Sequence, residues 1–406
     1  MSVDEVIGTI ALVVGVGLVA RVLADLLRLP PMLLLIAAGA ILGPHATGVI
    51  DVPLRSDGAQ ILLTLGISFI LFYGAMNLSA RVLSRTVVTL VLLVIPGVVL
   101  TSLIVGAVAG AAFSVPLLTG LMIGAALAPT DPAILIPLFE RLRLRPKVAQ
   151  TIVAESALND PTGAVLTLAL AAGVAGAETS LGDPALDFLV DLGTSTGLGI
   201  VFGLLLALLV SSGRTGIWRE SSALVVVVVL GASWVSIDFA GGSGYLGAFV
   251  AGLIVGNMEE LRLTMHRAHE RDLRMLVRAV TDVVVILVFV VLGANLPFGE
   301  IQREALPAIA VVATLILVAR PLVVLGSLVL DRRGRWTREE LIFLAWTRET
   351  GVVPAALAGL LVARGVPDAD LVVVVVSLAV VATLLLQSTT KPWLARRLGL
   401  LEQSDG

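Results

Sequence analysis

The chain is a succession of long apolar runs separated by short polar or charged stretches. Runs such as 61–76 and 371–386 are continuous and lack the apolar–polar alternation of a membrane β-strand. They read instead as membrane-crossing helices. Thirteen segments can be drawn, at roughly 5–24, 31–50, 59–77, 86–110, 116–139, 148–174, 186–210, 222–237, 244–257, 279–296, 304–330, 339–363 and 368–390. The seventh links a first half (about 5–174) to a second half (about 222–390), leaving 391–406 as a short tail. The pattern predicts an all-α polytopic membrane protein, a single integral membrane domain of about 13 transmembrane helices.

Composition closes off other classes. Of 406 residues 58% are hydrophobic and only 14% charged, against about a quarter charged in soluble domains, and the mean hydropathy is +1.04. Cysteine is absent, which removes disulfides, thiol catalysis and thiolate metal sites. His45, His266 and His269 all fall in predicted loops, so no intramembrane histidine site is expected. The acidic start Met1-Ser2-Val3-Asp4-Glu5 argues against a cleavable signal.

The distribution of charge sets a predicted orientation. With the N-terminus outside, the inside loops carry 22 Lys and Arg, the turn from Arg141 to Lys147 among them; the outside loops carry Arg55, Arg303 and Arg364. The positive-inside rule then places the C-terminus in the cytoplasm of a cell-membrane protein. One inside stretch, 258–278, mixes charges with Leu261, Met265 and Leu273. It reads either as an amphipathic surface helix or as a solvated linker.

Against this background a few polar groups stand out. Asp131 lies mid-segment in Pro129-Thr130-Asp131-Pro132, and Glu155 and Asp160 in Glu155-Ser156-Ala157-Leu158-Asn159-Asp160-Pro161. Arg320, Arg348 and Glu349 complete the mid-membrane set, Asp282 being placed at the interface. Such residues are costly in a bilayer and mark functional paths. Four acids against two bases leave negative charge for a cation or protons to neutralise. Glu155 and Asn159 share one helix face, and Ser156 and Asp160 the adjacent one. A hydroxyl and a carboxylate are hard oxygen ligands suited to a small cation. Asp160 can hold one monovalent cation or one proton, not both, which gives one-for-one exchange by competition. Glu155 reads as a structural acid tied to an arginine.

The fifth segment is broken at its prolines, and the twelfth has Gly351 and Pro354 just after Arg348 and Glu349. The two are seven segments apart and so run in opposite directions, as inverted repeats with interrupted helices require. Asp131 at one break, and Arg348 or Glu349 at the other, can neutralise the exposed helix poles.

These residues resemble the monovalent cation:proton antiporter superfamily, in its NhaP-like sodium/proton antiporter branch, along the whole chain. The fragments are LPPMLLLIAAGAILGP, GISFILFYGAMNL, APTDPAIL, AESALNDPTG, GYLGAFVAGLIVGN, ARPLVV and RETGVVPAALAG. The resemblance implies a thirteen-helix homodimer with inverted repeats, in which a core bundle moves as an elevator against a dimerisation bundle. It implies that Asp160 carries Na⁺ or H⁺, with Ser156 and Thr130 as further Na⁺ ligands and Asn159 beside them. The acid matching Glu155 then pairs with a buried arginine, Arg320 first and Arg348 second. An Asn-Asp pair marks the branch associated with electroneutral exchange.

The chain departs from the family's pattern at the twelfth segment. Thr350 stands directly before Gly351, where many NhaP-like members have arginine, and Arg348 comes two residues earlier. Two residues turn about 200° on an ideal helix, so Arg348 faces away from the usual partner unless the segment is unwound.

The expected function is therefore secondary antiport of a monovalent cation (Na⁺, with Li⁺ or K⁺ as alternatives) for H⁺, not an enzyme activity. Its partners are the ions, the bilayer and a second copy, with no cofactor and no nucleic acid. A K⁺/H⁺ antiporter of the same fold, a sodium-coupled solute symporter and an intramembrane aspartyl protease using Asp131 and Asp160 are the rival readings.

Overall fold

Backbone groups inside a bilayer have no water to bond, so apolar stretches satisfy themselves as helices. The computed structural model describes residues 3–27, 29–54, 56–131, 135, 139, 142–176, 183–212, 221–240, 244–331 and 334–402. Pro132, Arg28, Arg55, Arg141, Arg214, Arg219, Arg332 and Arg333 lie outside the described residues. The helices are α1 (Val3–Leu27), α2 (Pro31–Leu42), α3 (Asp57–Met76), α4 (Ala80–Phe113), α5 (Leu117–Ala126) and α6 (Pro146–Val174). There follow α7 (Asp183–Val210), α8 (Leu224–Ala240), α9 (Gly244–Gly256) and α10 (Arg267–Ala294). The chain ends in α11 (Ala305–Leu330), α12 (Arg338–Trp346), α13 (Val352–Ala363) and α14 (Ala369–Arg397). Among the described residues, eight helices are long and apolar enough to span a membrane and five shorter apolar helices accompany them. Each of the thirteen segments contains one of these.

Two groups of helices pack side by side. One is built from α4, α5, α6, α11, α13 and α14, and the other from α1, α2, α3, α7, α8, α9 and α10. They meet where α3 and α10 lie against α13, and α7 and α9 against α6. Large apolar side chains such as Leu26, Val201, Trp234, Leu306 and Leu330 stay exposed on the outside. In water such a surface would mark an interface; in a membrane protein an apolar outer surface of this kind suits contact with lipid or with other apolar helices.

Four expectations are corrected. The stretch 258–278 is neither a separate surface helix nor a plain linker. After a short turn at Met258–Leu261, residues from Arg267 onward form the first turns of α10, with Leu273 and Val277 buried against the bundle. His269 is therefore helical and buried rather than in a loop. The second segment stops at Leu42, where Gly43 and Pro44 follow and proline offers no amide to continue a helix.

The last correction matters most. α14 runs on to Arg397, so Lys391 is a fully buried helix residue, not part of a loop or tail. Beyond that helix the chain turns back, and the amide of Arg145 donates to the carbonyl of Leu400 at 2.9 Å while Leu400 is buried.

Candidate functional site

The site forms where two helices break and cross. α5 ends at Ala126, and residues 128–131 leave the helix. α12 ends at Trp346, and residues 347–351 are unwound before α13 begins. The breaks touch directly: the amide of Asp131 donates to the carbonyl of Glu349 at 3.1 Å, and the amide of Val352 donates to Oδ2 of Asp131 at 3.1 Å. Asp131 thus caps the positive N-terminal end of α13. Gly351 permits the approach, since a Cβ there would collide with the Asp131 carboxylate.

Arginines serve the negative ends. Nη2 of Arg348 donates to the carbonyls of Leu127 and, at 2.9 Å, Ala128, just past the C-terminal end of α5. Arg348 reaches them because its segment is unwound, so the ideal-helix direction does not apply. Arg320 Nε donates to the carbonyl of Leu344 at 3.0 Å near the end of α12. Its other nitrogens grip Glu155 in a two-pronged pair, Nη2 to Oε2 at 3.0 Å, with both side chains 2% exposed. That fork matches a carboxylate geometrically, and it joins α6 to α11. A small cavity between these groups is lined by Thr101, Ala128, Glu155, Asn159, Arg320 and Arg348.

α6 supplies the other side. Pro161 lies inside this helix, where it cannot donate to the carbonyl of Ala157. Asn159 straps the first break: its Oδ1 accepts the amide of Thr130 at 3.1 Å and its Nδ2 donates to the Thr130 hydroxyl at 3.0 Å. The Thr130 hydroxyl donates to Oγ of Ser156 at 2.8 Å. Gly163, one turn on, leaves room for the ring of Pro129. Asp160 completes the group, 2% exposed, with Oδ1 lacking a hydrogen-bond partner among the described residues. Thr130, Ser156 and Asn159 are thus joined by hydrogen bonds at the first break, with Asp160 next to Asn159 on α6.

Lys391 was missed from the sequence. It forms an ion pair with Glu349, both side chains 0% exposed, and Ser388 donates to Oε1 of Glu349 at 3.2 Å. The signal was indirect: four buried acids against two bases asked for another base. With Lys391 the acids Asp131, Glu155, Asp160 and Glu349 face Arg320, Arg348 and Lys391. The set carries one surplus negative charge.

Broken helices crossing beside buried carboxylates, in an all-helical membrane protein, define an ion-coupled secondary transporter. The family follows from comparison: residues 8–397 match the transmembrane sodium/hydrogen exchanger family, and the chain belongs to it. It is 31% identical over 377 residues to Na(+)/H(+) antiporter 1 of Methanocaldococcus jannaschii, covering 88% of this chain and 83% of that protein. It is 29% identical over 395 residues to the K(+)/H(+) antiporter NhaP2 of Shewanella oneidensis, covering 95% of this chain and 66% of that one. The fold matches the structure of the sodium proton antiporter MjNhaP1 from Methanocaldococcus jannaschii at pH 8, with a TM-score of 0.86, 25% identity and coverage of 98% and 99% of the two chains.

Proposed function

We propose that this protein is a secondary antiporter that exchanges a monovalent cation for H⁺, with Asp160 as the carrier. The observation that supports this most is the charge inventory at the crossing. Glu155 is held by Arg320 and Glu349 by Lys391, while Asp131 and Arg348 sit on opposite helix poles. Asp160 has no basic partner among the described residues and is the surplus charge.

The chemistry follows from that surplus. A carboxylate without a counter-ion in the membrane core takes up whatever cation reaches it. A proton neutralises it covalently; a Na⁺ ion does so with the Asp160 carboxylate and the hydroxyls of Thr130 and Ser156 as ligands. Asn159 orients this set by fixing Thr130. Because one carboxylate serves both ions in turn, one H⁺ returns for each cation, and the exchange is electroneutral.

Alternating access is assigned to movement of the group containing α4–α6 and α11–α14 as an elevator against the other group. The two halves, about 5–174 and 222–390, act as inverted repeats whose broken helices hold the site. A homodimer with the N-terminus outside and the C-terminus in the cytoplasm completes the reading. Na⁺ is the first choice of cation because the Methanocaldococcus relative is named a Na⁺/H⁺ antiporter. K⁺ is the second, after the Shewanella relative. The protease reading weakens because the Asp131 carboxylate is engaged with the Val352 amide.

The test is proton movement in proteoliposomes. Adding Na⁺, Li⁺ or K⁺ outside should release protons from acid-loaded vesicles at a rate unaffected by clamping the membrane potential. No response to any of the three ions contradicts antiport, and a strongly voltage-dependent rate contradicts one-for-one exchange.

A further inference from the structure

We propose that Lys391 is a positioning residue that sorts the buried charges, holding Glu349 so that Arg348 and Arg320 stay on their own acceptors. The inference rests on the antiport reading and concerns how the site keeps its geometry.

Glu349 sits in the second break, next in sequence to Arg348. Its backbone carbonyl anchors the amide of Asp131, and Asp131 follows the cation ligand Thr130. Glu349 therefore links the second break to the ion site through two residues. Its carboxylate is fully buried; among the described residues Lys391 is its ion-pair partner, Ser388 donates to Oε1, and Oε2 has no hydrogen-bond partner. Lys391 reaches it from α14, one turn after the wide π-helical turn Leu384–Ser388. Such turns are frequent at functional sites.

Without Lys391, Glu349 is a carboxylate in the membrane core with no counter-ion. The cationic group next to it in sequence is Arg348, which is engaged with the carbonyls of Leu127 and Ala128. Drawing Arg348 away uncaps the C-terminal end of α5 and shifts Thr130, so cation binding should suffer before turnover does. Removing both charges, by contrast, leaves nothing to compete for Arg348, in line with the general behaviour of buried ion pairs: breaking one is costly, replacing both partners often is not.

Three proteins in the same proteoliposomes test this: wild type, Lys391→Met, and Lys391→Met with Glu349→Gln. The single variant should raise the cation KM by about tenfold with a smaller change in maximal rate, and the double variant should return KM to within about threefold of wild type. A merely structural role would lower the maximal rate at unchanged KM. An unchanged KM in Lys391→Met, or a double variant with KM still raised, overturns the proposal. Should Lys391→Met fail to fold, the double variant decides: folded with a near-wild-type KM it supports the proposal, and misfolded or weak-binding it overturns it. If wild type shows no cation–proton exchange, antiport itself fails, and thermal unfolding then reads charge sorting separately. A lower Tm in the single variant that recovers in the double supports it, and no recovery overturns it.

Discussion

The carboxylate of Asp131 accepts the backbone amide of Val352 at 3.1 Å. One broken helix thereby caps the other, and Arg348 returns the service by holding the carbonyls of Leu127 and Ala128 just past the end of α5. Exposed helix ends inside a bilayer are stable only when side chains or facing backbone satisfy them. On this chain Asp131 and Arg348 serve breaks on the opposite half, while Arg320 serves the end of α12 within its own half.

Asp131→Asn removes the negative charge from the α13 N-terminus but keeps an acceptor. The lost attraction between the charge and the helix end is worth about 0.3–1 kcal/mol, so thermal unfolding in detergent should occur at a lower temperature. With Asp160 proposed as the carrier, exchange should slow yet persist. Complete loss of exchange in a folded Asp131→Asn protein would reassign the carrier role.

Glu155→Gln leaves Arg320 charged and buried without its acid. Breaking such a pair costs about 3–5 kcal/mol, and the expected result is a markedly lower unfolding temperature. Combining it with Arg320→Gln should recover part of that loss. If the double variant is no more stable than the single one, the pair is not what joins α6 to α11.

Thr130→Val deletes the hydroxyl that bonds Ser156 and Asn159. Loss of these two buried hydrogen bonds, about 1–3 kcal/mol together, and of the proposed cation ligand should raise the cation KM by roughly tenfold. The maximal rate should fall less. A KM that stays at the wild-type value would remove Thr130 from the ligand set.

Competition for one carboxylate also fixes a pH dependence. Lowering the pH raises the proton concentration at Asp160, so the apparent cation KM should rise as the medium is acidified. Where protons occupy most of the sites, the rise approaches about tenfold per pH unit by mass action. Flux measured over a grid of pH and cation concentration checks this. A KM independent of pH would mean that proton and cation bind at different groups.

The two acidic clusters were legible in the sequence because an acid beside a proline is conspicuous in an apolar run. The Thr130–Asp131 and Asn159–Asp160 pairs needed no coordinates to be singled out. Which arginine meets Glu155 did require them, since Arg320 and Arg348 are both mid-segment and only the crossing decides. Lys391 was hidden for a physical reason. The apolar run ends at Leu386, and a lysine beyond such a run is ordinarily solvated; here Glu349 stabilises it inside the helix. For the first turns of α10 an amphipathic helix was among the readings, but not its continuity with the membrane helix, because its charges have the composition of a loop.

The proposed role of Asp160 as sole carrier of both ions stands or falls with Asp160→Asn. The substitution keeps size and polarity while removing the charge that binds a cation or a proton. In proteoliposomes containing folded Asp160→Asn protein, adding Na⁺, Li⁺ or K⁺ should release no protons above protein-free vesicles. Cation-driven proton release at the wild-type rate would contradict the account.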